Sequence, residues 1–178
     1  MNFANNKDNY IKIIVLGESS TGKTNLINVY LDKKFDPSSP ATLNSSKVFV
    51  KYKNEFNVYF CDTFGAEKYR SITKSFIKGS DIIILIYDIT RRKTFLELDF
   101  WINIVKNEIR NENVIFGIVG NKIDLYDESQ VEQEEGEKKA SEINGFFWET
   151  SMKYDPKGLK SFIDKLLDCY LLTKKTKE

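Results

Sequence analysis

Short apolar runs alternate with amphipathic ones along the chain, and the spacing predicts strands followed by helices. Ile11, Ile13, Val15 and Leu16 mark a buried strand over 10–16, and 25–31 continues as an amphipathic helix. Residues 47–53 and 56–61 flank Asn54-Glu55, which predicts a hairpin even though the turn has no glycine. Ile82 to Tyr87 is apolar throughout, as a central strand covered on both faces would be. The stretch 95–109 has helical spacing through Leu98, Trp101, Ile102 and Val105, and Val114 to Gly120 is a second apolar run of strand length. A polar, acidic helix over 132–143 ends at Asn144-Gly145, a C-cap signal. A last strand is expected over 146–148 and a last helix over 158–172. With no repeat and no linker, the expectation is one α/β domain over 9–172, a six-stranded, mostly parallel sheet flanked by five helices. An Asn-rich arm, 1–8, precedes it, and a short tail, 173–178, follows.

Composition narrows the chemistry. A chain of 178 residues with 41% hydrophobic content can bury a full core. A net charge of +1, with Lys and Glu interspersed, gives no electrostatic case for nucleic acid. There is no histidine, which excludes His-based catalysis and His metal ligands. Cys61 and Cys169 lie far apart in no metal-like spacing and no signal-peptide pattern opens the chain, so a reduced, cytoplasmic setting is expected. The longest apolar run is far too short to span a bilayer.

Directly behind the first strand, Gly17-Glu18-Ser19-Ser20-Thr21-Gly22-Lys23-Thr24 fits G-x-x-x-x-G-K-[ST]. A strand delivers such a loop and a helix leaves it, so backbone N–H groups curl around a phosphate at a helix N-terminus. Gly17 and Gly22 permit angles and close approach that a side chain forbids. Lys23 is a point charge suited to β- and γ-phosphates, and the Thr24 hydroxyl is the expected Mg²⁺ ligand. By residue type alone, Ser19, Ser20 and Thr21 are polar turn filler. Asn121-Lys122-Ile123-Asp124 follows the second apolar run, at a strand's carboxyl end where α/β sheets bind ligands. A carboxylate at Asp124 can accept from N1–H and the exocyclic amine of guanine, whereas adenine has no donor at N1.

On these motifs and their order the chain resembles a Ras-superfamily small GTPase over roughly residues 8–172, and the Rab branch fits best. The matching elements are Gly17 to Thr24, Thr42, Asp62-Thr63-Phe64-Gly65, Asn121 to Asp124, and Glu149-Thr150-Ser151-Met152-Lys153. The Rab-like segments are Glu67-Lys68-Tyr69-Arg70-Ser71-Ile72, Phe76-Ile77-Lys78-Gly79-Ser80 and Glu149-Thr150-Ser151. The resemblance implies a P-loop G domain that binds GTP or GDP with Mg²⁺. It implies nucleotide contacts from Ser19, Ser20, Thr21, Gly22, Lys23, Thr24 and Asn25. Phe35 would lie edge-on to the base, and Asn121, Lys122, Asp124, Ser151, Met152 and Lys153 would hold it. Thr24, Thr42 and Asp62 would serve Mg²⁺, and Lys23, Thr42 and Gly65 the γ-phosphate. Partners implied are effectors, an exchange factor and a GTPase-activating protein meeting a monomer through two switch loops. The expected role is vesicle traffic.

Five departures from the family pattern stand out. Ala66 takes the place of the glutamine that orients the attacking water, so slow unaided hydrolysis is expected, with a non-hydrolysing binding module as the alternative. Phe64 replaces a small residue beside Gly65, and Asn44 stands where a glycine is usual. Three aromatic effector-facing positions read Lys47, Cys61 and Phe76. No prenylation motif closes 173–178, so membrane attachment is expected only in a form that carries a lipidated tail.

Overall fold

The computed structural model describes residues 10–37, 46–62, 75–109 and 113–176. Among them a single sheet runs in the order β2-β3-β1-β4-β5-β6. Its strands are β1 (Tyr10–Leu16), β2 (Ser46–Tyr52), β3 (Phe56–Asp62), β4 (Ile82–Asp88), β5 (Ile115–Asn121) and β6 (Phe146–Thr150). Only β2 is antiparallel to its neighbour. Helices accompany them among the described residues: α1 (Lys23–Tyr30), α2 (Arg92–Leu96), α3 (Leu98–Glu108), α4 (Gln133–Ser141) and α5 (Pro156–Lys175). A 3₁₀ segment, Ile123–Glu128, follows β5.

The two faces of the sheet explain the apolar pattern. Ile11, Ile13 and Val15 share one core with Leu26 and Ile27 of α1 and with Leu159, Ile163 and Leu166 of α5. Ile14 and Leu16 share the other with Phe95 of α2, Trp101 and Val105 of α3 and Ala140 of α4. Every residue of β4 is buried because helices cover both of its faces, which is why its sequence shows no alternation. From β1 the chain passes to β2 and β3 on one side and then crosses to β4 on the other. The carboxyl ends of β1 and β4 therefore straddle a reversal of strand order, the usual place for a ligand crevice.

Several boundaries differ from the sequence expectation for local reasons. The helix expected over 95–109 is two helices that meet at Glu97, and it starts earlier, at Arg92. The hairpin turn sits one residue earlier than Asn54-Glu55: Lys53 and Asn54 both take left-handed angles (φ 50° and 57°), and Glu55 N–H returns to Tyr52 O at 3.1 Å. This is the primed turn that matches strand twist, with Asn54 in the role glycine usually fills. Asn144, not Gly145, adopts the left-handed C-cap angle (φ 51°), and Gly145 N–H then reaches Ala140 O at 2.8 Å. α4 starts behind a reciprocal capping box between Glu132 and Glu135. α5 starts at Pro156, where Asp155 accepts from Gly158 N–H at 2.9 Å.

Polar contacts fasten α5 to the opposite end of the molecule from the crevice. Tyr30 donates to Asp164 and Tyr52 to Asp168, each at 2.9 Å, while Lys53 Nζ meets Asp168 at 2.6 Å. Gly136 tests how tightly α4 is seated. A Cβ there would fall 2.3 Å from the Phe147 ring and 2.7 Å from Tyr87 Oη. Alanine gains about 1 kcal/mol of helix propensity, but overpacking a filled site costs about 1–3 kcal/mol. Gly136→Ala is expected to lower the urea midpoint, and a raised midpoint would show that the ring yields freely.

Candidate functional site

Sheet register brings the phosphate-loop motif against its neighbours. Leu16 pairs with Leu85, so Gly17 (φ 149°) lies against Ile86, and a Cβ would sit 2.2 Å from the Ile86 carbonyl oxygen. At Gly22 (φ 107°) a Cβ would fall 2.5 Å from Asn121 Nδ2 and 3.2 Å from Met152 Sδ. Both glycines answer to backbone angle and contact together. Thr21 is buried rather than filler: its hydroxyl donates to Glu18 O at 2.9 Å, and its carbonyl accepts from Asn121 Nδ2 at 2.8 Å. Lys23 is also buried and donates to Glu18 O at 2.8 Å. Burial pushes its ammonium down to about 8, against the pull of the Asp62 and Glu18 carboxylates, and the Arg91 charge adds to the lowering.

At the start of α1, the Thr24 hydroxyl donates to Asp62 Oδ2 at 2.8 Å. Asp62 is buried at the carboxyl end of β3, where register places it beside Val15. A hydroxyl and a carboxylate side by side at the mouth of a phosphate loop are hard oxygen donors, the set Mg²⁺ prefers together with phosphate oxygens. The donor chemistry fits that ion. Asn25 Nδ2 donates to Asp36 O at 3.0 Å, which ties α1 to the segment that follows Phe35. The Phe35 ring packs half-buried against the core shared by α1 and α5.

Asp88, Asn121 and Thr150 stand in register at the ends of β4, β5 and β6. Asn121 Oδ1 is buried and has no hydrogen-bond partner among the described residues, which leaves an acceptor for a ligand donor. Lys122 takes a left-handed angle (φ 74°), which turns the chain into the 3₁₀ segment, and its Nζ returns to Asp88 Oδ2 at 2.6 Å. Asp124 is exposed on that segment. Ser151 and Met152 are buried beyond β6: Ser151 O accepts from Asp155 N–H at 2.7 Å, and Met152 packs toward Gly22. Lys153 is exposed with its Nζ 4.6 Å from the Tyr154 ring centroid; Tyr154 chiefly, and Asp124 to a smaller degree, hold its ammonium above the ordinary value.

Two residues that motif matching passed over complete this edge. Asp88, fully buried, accepts from Thr90, Arg91 and Lys122, and Arg91 Nη2 also donates to Ser19 O at 2.9 Å. Burial disfavours the Asp88 anion, but those donors outweigh it and hold the carboxyl below its ordinary value. The signal in the sequence was an acid ending a wholly apolar strand. Thr42 and Gly65, together with Asn44, Phe64, Ala66 and 67–72, lie outside the described residues. Of the three altered aromatic positions, Lys47 is exposed with its Nζ over the Tyr59 ring, Cys61 is buried and Phe76 packs half-buried against the core on the α3 side.

The sequence model of the Ras family matches residues 12–169, which includes every residue placed above except Tyr10, Ile11 and Tyr170 onward. Lys23 offers a pH test of the loop. In the free protein its ammonium loses its proton near pH 8, and phosphate charge brought beside it raises that value. Nucleotide binding at pH 8.5 is therefore expected to take up protons, and affinity is expected to fall as pH rises through 8. Calorimetry in two buffers of different ionisation enthalpy measures the uptake. Lys23→Arg, charged throughout, is expected to shrink it, and equal uptake in the variant would place the proton elsewhere.

Proposed function

The chain belongs to the Ras family, and we propose that within it the protein is a Rab-type switch that cycles between GTP and GDP in vesicle traffic. The family binds guanine nucleotides with Mg²⁺ and meets regulators and effectors, and this chain is a GTP-binding protein of that kind. The Rab reading rests on the sequence of 67–72, 76–80 and 149–151, and the docking of two separate motifs supports the guanine-nucleotide reading. Asn121 holds the carbonyl of Thr21, and Gly22 admits Asn121 at a distance no side chain would allow. One ligand spanning both loops would have a purine at one end and phosphates at the other.

In this reading Lys23 and the N–H groups of 19–25 take the phosphates, with Lys23 exchanging Glu18 O for β- and γ-oxygens. Thr24 and Thr42, with Asp62 behind them, would hold Mg²⁺, which would supply charge neutralisation for the phosphates. Asp124 reads guanine from the edge of the 3₁₀ segment, and Ser151, Met152 and Lys153 close the base site, with Phe35 at the ring edge. Gly65 meets the γ-phosphate through its N–H. Loss of that phosphate releases the segments carrying Thr42 and Gly65, which is what effectors and exchange factors sense. The protein acts as a cytoplasmic monomer, peripheral on endomembranes in any form that carries a lipid anchor.

Ala66 favours slow turnover, because a methyl group cannot orient a water molecule. That same residue supports the second reading, a GTP-dependent binding module that does not hydrolyse. Single-turnover γ-phosphate release separates them: the wild type is expected to be slow and Ala66→Gln faster by at least about tenfold, which is about 1.4 kcal/mol of barrier. No gain from the glutamine would mean that another group positions the water. For the base, calorimetry is expected to favour GDP over ADP by at least about a hundredfold, with the preference lost in Asp124→Ala. Equal affinity for the two would sink the assignment.

A further inference from the structure

Arg91 occupies an unusual position between two elements. Its backbone is fixed in a tight turn, with N–H donating to Asp88 O at 3.0 Å and C=O accepting from Thr94 N–H and Oγ1, both at 2.8 Å. From that base Nε donates to Asp88 Oδ2 at 2.8 Å and Nη2 to Ser19 O at 2.9 Å. The guanidinium thus spans a fully buried carboxylate on β4 and a main-chain carbonyl of the phosphate loop. A planar fork can make both bonds at once, whereas an ammonium on a flexible stem has no such fixed geometry.

The carbonyl it holds precedes a strained residue. Ser20 takes φ 61°, an angle in which a non-glycine residue is disfavoured. Ser20 is exposed, so no packing of its own side chain secures that angle. Because a trans peptide is planar, turning the Ser19 carbonyl toward Arg91 turns the Ser20 N–H the opposite way. We propose that Arg91 is a positioning residue for the phosphate loop: by gripping the Ser19 carbonyl it keeps Ser20 in its left-handed angle, so that the Ser20 N–H faces the bound phosphates. The inference rests on the guanine-nucleotide reading above and adds a group to it. Asp88 anchors the guanidinium and is in turn held by Lys122. The arrangement therefore ties the shape of the phosphate loop to the base-reading segment through one carboxylate.

The test uses the full chain with Mg²⁺ and compares affinities for GDP and for GMP, which lacks the β-phosphate. Arg91→Met is expected to weaken GDP binding by about tenfold, the worth of a charge-assisted hydrogen bond, and to leave GMP binding within about twofold. Arg91→Lys keeps a cation beside Asp88, so the fold is retained, but it is expected to show the same GDP-selective loss. Ser20→Gly makes the left-handed angle cheap, so in that background Arg91→Met is expected to cost less than about threefold. Wild-type GDP affinity in Arg91→Met, equal losses for GDP and GMP, full rescue by lysine, or an unchanged cost in the Ser20→Gly background would each overturn the inference. A wild-type protein with no affinity for any guanine nucleotide overturns the functional reading and this one with it. Tight wild-type binding that ignores Arg91 overturns this one alone.

Discussion

The edge of the sheet that carries the site is organised around one buried charge. Asp88 closes a strand in which every residue is buried, and a carboxylate there has no water to solvate it. It persists as an anion because donors surround it: the N–H and hydroxyl of Thr90, the guanidinium of Arg91 and the ammonium of Lys122. Breaking such a set is costly, since it strands whichever charge is left. The consequence is positional. Lys122 at the end of β5 and Arg91 over the phosphate loop both stabilise the Asp88 anion, so a constraint of electrostatics becomes a constraint of shape.

The phosphate loop is held from outside by the same logic. Donors hold carbonyls along the loop: Glu18 O accepts from Thr21 and Lys23, Ser19 O from Arg91, Thr21 O from Asn121 and Gly22 O from Leu26 N–H. Carbonyls fixed in this way leave the intervening amide protons to a bound anion, and an anion meets a loop that is already shaped. Burial brings the Lys23 ammonium down to about 8, so a ligand that brings negative charge beside it favours the charged form.

Much of this was legible before any coordinates. The all-apolar Ile82 to Tyr87 run, the strand ahead of Gly17 and the motif at Asn121 gave strand identity and placement, because two-faced burial and loop chemistry both leave strong local patterns. What sequence concealed was whatever depended on contact across the chain. The turn at Lys53-Asn54 was misplaced by one residue because Lys53 has no intrinsic taste for a left-handed angle; its Asp168 partner is 115 residues away. Thr21 passed for filler because its function lies in a backbone carbonyl, to which side-chain chemistry gives no clue. Asp88 and Arg91 belong to no phosphate-loop or base motif, and their importance appears only when β4 is set between β1 and β5.

The contacts at the far end of the sheet fix one end of the β2–β3 hairpin. Tyr52 and Lys53 bolt the closed end of the β2–β3 hairpin to Asp168 on α5. The open end of the same hairpin begins at Ser46 and finishes at Asp62, on the side of Thr24. The hairpin thus joins α5 at its turn to the Thr24 side of the site along its length.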